Sequence, residues 1–260
     1  MSQPTRYKAT IAYVGTGFHG WQRQKNAPRT VQAALEEALS QLTRVPVRIE
    51  GASRTDAGVH ADGQVAHFDL PRRRDPRAVR EAVNGRLPRD VRVLAVEEVA
   101  PDFHARFDAC WKEYLYRWSR AEVIAPRDQP FVARISARAD LERMREAARV
   151  VPGERDFRIF AVGPPAGEST VRNLHSITIR EDGAELQALL RGDGFLRGMV
   201  RSICGVLSDM ARGRVPPDRM ARLLETGDRR LISHKAAAQG LTLCRVFYEP
   251  AALRRVNIEP

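Results

Sequence analysis

Lysine is scarce: Lys8, Lys25, Lys112 and Lys235 are four of 43 basic residues. Cysteine is scarcer still, at three positions (Cys110, Cys204, Cys244) without any C-x-x-C pair. That spacing excludes a zinc ribbon and a disulfide framework and fits a reducing compartment. No stretch approaches the roughly 18 consecutive apolar residues of a membrane-spanning helix. The opening MSQPTRYKAT lacks the apolar run of a secretory leader. A soluble, cytoplasmic protein is therefore expected. Short repeats and low-complexity tracts are missing as well, which excludes a solenoid.

The 260 residues, 43% of them apolar, suffice for one large domain or two lobes with a real core. The formal charge is +11, so the surface attracts polyanions, with nucleic acid first among them. Arginine suits phosphate contact and base stacking. A GC-rich coding sequence accounts equally well for arginine over lysine, but not for the net charge.

Apolar periodicity divides the chain into two runs of mixed elements. The first has a strand at 7–14, a Gly-rich loop, and a helix capped by Thr30 with Val31, Ala34, Leu35, Ala38, Leu39 and Leu42 as its stripe. Strands at 47–52 and 64–70, a helix at 76–86 and a strand at 91–99 follow. The second has a helix at 140–150, strands at 172–180 and 184–191, helices at 195–212 and 217–225, and a strand at 241–248. Between them, HARFDACWKEYLYRWSR (104–120) reads as one long strand with Lys112, Tyr114, Tyr116 and Trp118 on one face. VIAPRDQP and AVGPPAGES read as Pro-rich loops. Two α+β lobes, 1–109 and 110–260, are the economical division.

Several motifs invite chemistry. GTGFHG (15–20) matches the dinucleotide pattern G-x-G-x-x-G, but Pro28 delays the next helix to about Thr30, and pyrophosphate binding needs a helix N-terminus at the glycines. A tight loop is expected instead. His60, Asp62 and His67 lack the spacing of common zinc sites, so a structural or RNA-contacting role is expected of them instead of metal binding. Asp56, in GASRTDAGVHADGQVAHF (51–68), reads as a turn residue by spacing alone. Ala57-Gly58 would nonetheless admit a substrate close to the backbone, and Arg54 could keep the acid ionised for nucleophilic attack. Arg197 and Arg201 lie four apart on a helix expected from about Phe195, either as a solvated basic face or as partners for that acid. Tyr114 and Tyr116 pack in a core or stack on a base.

YVGTGFHGWQRQ (13–24), RTDAGVHADGQVAHF (54–68), HARFDACWKEYLY (104–116), RDFRIF (155–160), GDGFLRGMVRSICG (192–205) and AAAQGLTLCRVFY (237–248), in this order, resemble the tRNA pseudouridine synthase A family over nearly the whole chain. The resemblance implies two α+β lobes sharing a continuous, mostly antiparallel sheet with a central catalytic cleft. It implies a homodimer that grips tRNA at the anticodon stem-loop and elbow and isomerises uridine to pseudouridine at positions 38, 39 or 40 without metal or cofactor. Residue by residue, it implies Asp56 as nucleophile, Tyr114 beside the base, Arg201 paired with the acid and Arg54 in opening the stem. His60, Arg197 and Gln22 are further candidate RNA contacts. Val14, Leu115 and the wording RDFRIF depart from the family's commoner pattern, outside the catalytic positions. A non-catalytic structured-RNA-binding protein and a metal-dependent nuclease are the competing classes. The first would need no acid in this setting, and the second would lose activity on chelation.

Overall fold

The computed structural model describes residues 3–27, 29–163, 167 and 169–249. Pro28 and part of the AVGPPAGES loop lie outside the described residues. The chain forms two compact units. One holds the chain up to Lys112 and again from Leu243 onward, and the other holds Glu113–Thr242.

In the first unit, β1 (Thr5–Tyr13) alternates buried and half-buried side chains, as a strand with one face under helices should. It pairs antiparallel with β3 (His60–Leu70), with Tyr7 opposite Phe68, and with β4 (Val91–Glu98). The short β2 (Ile49–Gly51) adds to β3. Leu35 and Leu39 of α1 (Val31–Thr43) and Val79 and Val83 of α2 (Pro76–Asn84) pack against Ala9, Phe68 and Val93 of the sheet. Thr30 caps α1 by accepting from Ala33 N, as its sequence pattern predicts, and Asp75 with Pro76 caps α2. Glu36 interrupts the apolar stripe of α1; its buried carboxylate is held by Arg23 at 2.9 Å and Arg48 at 3.2 Å.

The second unit begins within β5 (Trp111–Ser119). Its strands run in the order β5, β9 (Glu185–Gly192), β8 (Val171–Asp182), β7 (Gly153–Asp156). β8 and β9 form an antiparallel hairpin, β7 pairs antiparallel with β8, and β6 (Ala133–Arg134) runs parallel to β5. Arg117 of β5 forks onto Glu185 of β9 at 2.8 and 2.6 Å, and Arg191 meets Glu113 at 2.7 Å. α3 (Leu141–Arg149) and α5 (Arg219–Thr226) pack against α4 (Met199–Ala211), which is buried along its length except at Arg201. The last strand, β10 (Leu241–Phe247), crosses the boundary between the units. The class is α+β with mostly antiparallel pairing, as expected.

Two expected elements differ. The long strand over 104–120 starts only at Trp111, because residues 104–108 close a turn in which Asp108 N donates to His104 O and His104 N donates to Asp108 Oδ2. The helix expected from Phe195 starts at Met199, because Gly198 takes a left-handed φ of 74° that no helix can propagate through. A Cβ at Gly198 would also lie 2.7 Å from Val162 Cγ2.

Candidate active site

Asp56 lies on the loop between β2 and β3 of the first unit, half-buried between exposed Arg54 and exposed Ala57. Val59 N donates to Asp56 O at 3.2 Å and closes a turn over Ala57-Gly58. The loop is braced throughout. Gln64, fully buried on β3, donates Nε2 to Ser53 O at 2.7 Å and accepts from Ser53 N at 3.2 Å. Lys112 Nζ donates to Ala52 O at 2.7 Å, and a buried 2.7 Å hydrogen bond joins the Tyr13 hydroxyl to the Thr55 hydroxyl.

The glycine motif at 15–20 lies against this loop. Trp21 N donates to Thr55 O at 3.1 Å, Gly58 N to Phe18 O at 3.3 Å, and Gly15 N to His60 Nδ1 at 3.1 Å. A Cβ at Gly15 would fall 2.0 Å from Val59 O, and one at Gly20, where φ is +91°, would fall 2.6 Å from Thr55 O. The motif therefore serves close backbone packing, the tight loop its sequence suggested. His60 is 2% exposed, its ring turned inward to Gly15. Gln22 donates Nε2 to Gln32 Oε1 at 2.8 Å, so its amide is engaged with α1.

The second unit carries the remaining candidates. Tyr114 on β5 is 7% exposed, its ring edge-to-face with Phe195 at 5.1 Å. Tyr116, two residues on, donates its hydroxyl to Ala237 O at 2.8 Å, and burial pushes its pKa well above the ordinary phenol range. Of the two tyrosines on that face, Tyr116 is thus a poor proton carrier. Arg201, in the first turn of α4, donates Nε to Ala236 O at 2.8 Å and accepts Ala236 N on its own carbonyl at 2.9 Å. The same segment is tied to α4 further along, where buried Asp209 takes the Ser233 hydroxyl and lies 3.3 Å from His234 Nδ1. Arg197 is exposed in the turn before α4, its carbonyl accepting Val162 N at 2.8 Å. It does not share a helical face with Arg201, as the sequence had suggested, since Gly198 separates it from the helix.

One group among the described residues brings metal-capable atoms together: Glu50, His67 and His104, all within 4.8 Å. Its donor set does not suit a cation. His67 Nδ1 accepts Ala105 N at 3.2 Å, and His104 Nδ1 accepts Arg106 N at 3.1 Å. Each neutral ring therefore carries its proton on Nε2, the atom that would have to ligate. His104 Nε2 instead faces Glu50 Oε2 at 3.3 Å.

The bracing by Tyr13, Thr55, Gln64 and Lys112 escaped sequence reasoning. Tyr13 and Thr55 are 42 positions apart, and only strand pairing brings them together.

These features define a class first: a two-unit α+β protein whose first unit holds an acid on a loop fastened by glycines and buried polar side chains. Comparison with known proteins then narrows it. The family model described as tRNA pseudouridine synthase matches residues 9–108 and 147–249. The tRNA pseudouridine synthase A of Listeria monocytogenes serotype 4a (strain HCC23) is 42% identical over 248 residues, covering 94% of this chain and all of the relative. That of Limosilactobacillus fermentum (strain NBRC 3956 / LMG 18251) is 40% identical over 252 residues, covering 95% of this chain and 97% of the relative. A chain in the crystal structure of a Cbf5-Nop10-Gar1 complex aligns at 11% identity with a TM-score of 0.32, covering 77% of this chain and 45% of that one. The chain belongs to the tRNA pseudouridine synthase family.

Proposed function

We propose that the protein isomerises uridine to pseudouridine at position 38, 39 or 40 in the anticodon stem-loop of tRNA, with Asp56 as the nucleophile. The observation that carries this reading is the Asp56 loop. A carboxylate is half-exposed while the backbone around it is fixed by buried hydrogen bonds and by glycine contacts no other residue would permit. A turn residue alone needs no such bracing; a nucleophile does, because misplacement by about 1 Å can cost on the order of 100-fold in rate.

The reaction balances within one nucleoside. The C1′–N1 bond breaks, a C1′–C5 bond forms, the C5 proton leaves and N1 gains a proton. No redox partner or added atom is required. Asp56 attacks C1′, or removes a sugar proton toward a glycal intermediate. Tyr114 stacks on the uracil and assists loss of the C5 proton, Tyr116 being committed to Ala237. Arg201, its Nε fixed on Ala236, is the partner that the resemblance implies for Asp56. Arg54, exposed beside the acid, helps turn the uridine out of its stack, a step that costs a few kcal/mol. Arg197 contacts phosphate. His60 and Gln22 act through the loops they hold.

The resemblance further supports a cytoplasmic homodimer that holds the tRNA elbow as well as the stem-loop, which light scattering with and without tRNA tests. For the chemistry, the test is tritium release from C5-labelled uridine in unmodified tRNA. Asp56→Asn should abolish release while retaining tRNA affinity; undiminished turnover would overturn the assignment. Mapping pseudouridine in tRNA from cells with and without the protein checks the positions.

A further inference from the structure

Among the described residues, the large apolar side chains that stand exposed are all aliphatic except one, Phe107, which is 73% exposed. It lies outside the Asp56 loop, on the turn before β5. A lone exposed aromatic is unremarkable on a floppy loop, but this loop is fixed from several sides. Ala105 N donates to His67 Nδ1, and Tyr248 donates its hydroxyl to Ala105 O at 2.7 Å. Arg6 Nη1 holds Phe103 O at 3.0 Å. Within the turn, His104 Nδ1 accepts both Arg106 N at 3.1 Å and Phe107 N at 3.3 Å. The aromatic is thus presented on a prearranged backbone, and a ligand that lands on it pays little ordering entropy.

The groups around the ring point to what lands there. The Arg106 guanidinium lies 5.5 Å from the Phe107 centroid, and the His104 ring lies 4.3 Å away at 37°. The exposed aromatic thus stands beside an exposed cation and a tilted, half-buried imidazole, in a chain whose net charge is +11. Aromatic faces next to arginine are the means by which proteins hold unpaired bases, with the base on the ring and phosphate on the cation.

We infer that Phe107 and Arg106 form a stacking platform for an unpaired nucleobase of the RNA substrate, separate from the base that undergoes isomerisation. The inference rests on the proposed RNA substrate but not on the assignment of Asp56. Binding of unmodified tRNA transcript to the full chain, measured across a salt series, tests it. Phe107→Ala should weaken binding by about 5- to 150-fold with the salt slope unchanged, because stacking releases no counterions. Arg106→Ala should lower the slope by about one. Phe107→Trp should keep affinity, and its emission should be quenched at saturation, against Trp21, Trp111 and Trp118, which are buried.

Affinity of Phe107→Ala within twofold of wild type, with no quenching of Phe107→Trp, would overturn the platform. So would a fall in solution mass of Phe107→Ala without tRNA and at unchanged tRNA affinity, which would assign the patch to a second copy of the chain. Neither result touches the proposed chemistry, since tritium release by the wild type and by Asp56→Asn is read separately.

Discussion

Asp56 depends on neighbours that never meet the substrate in the proposed reaction. Thr55 is the nearest of them, its hydroxyl buried against Tyr13 and its carbonyl facing Gly20. Tyr13→Phe leaves the Thr55 hydroxyl without that partner and should cost roughly 1–2 kcal/mol of stability, with a fall in kcat that exceeds any change in KM; urea unfolding and single-turnover kinetics measure the two. Gly20→Ala is harsher, since a methyl would sit 2.6 Å from Thr55 O at a φ of +91°. It should cost roughly 1–3 kcal/mol by overpacking and reduce turnover further by displacing the acid. Gly183→Ala is the control: φ is +57° with nothing within 4 Å, so only a backbone penalty of roughly 1–2 kcal/mol is expected, and normal kcat. Equal kcat for the two glycine variants would refute the bracing. At this scale the sequence was only half legible. Spacing alone made Asp56 a turn residue, and the structure contains that turn. Gln64 and Lys112 were illegible as braces because a polar side chain's partner is decided by strand register, which local pattern does not carry.

Elements were legible where their own residues set the ends. The Thr30 cap and the stripe of α1 follow from local chemistry, as do the Pro76 start of α2 and the β8–β9 hairpin. The misplaced ends, at 104–110 and 195–198, are stretches where apolar residues continue the period but the backbone turns to satisfy distant groups, His67 in one case and Val162 in the other. The β5–β9 pair rests on a device that periodicity also hides, the fork of Arg117 on Glu185. Hydrogen bonding from Arg117 holds the Glu185 carboxyl below its ordinary value of 4.5, against the opposing effect of burial. A depressed folded pKa contributes stability that is fully present above 4.5 and is lost as pH falls through the lower folded value. Glu185→Gln should therefore destabilise the protein by roughly 1–2 kcal/mol at pH 7. The difference from wild type should shrink below pH 4.5 and vanish once the wild-type carboxyl is protonated. Chemical denaturation at a series of pH values measures it, and a difference independent of pH would show that the fork contributes packing, not charge.

The molecule as a whole presents 43 basic against 32 acidic residues, and much of the acid is already paired. Asp69, Asp90, Glu98, Glu185 and Asp228 each hold an arginine within 3 Å. The uncompensated positive charge therefore governs how the chain meets a polyanion, whatever the residue that performs chemistry. Phosphate contacts release condensed counterions, so the logarithm of affinity for tRNA should fall linearly with the logarithm of salt concentration. A loss of at least about 100-fold between about 50 and 200 mM is expected for a footprint of several phosphates. Asp56→Asn should follow the same line as wild type, because the proposed nucleophile, a carboxylate, contributes no counterion release, while its tritium release is lost. This separates binding from catalysis at the scale of the whole chain: a salt-insensitive affinity would mean that net charge does not hold the RNA. An Asp56→Asn slope shallower than wild type would mean that the acid loop takes part in seating the RNA backbone, and the exposed cation beside it, Arg54, would be the first residue to substitute next.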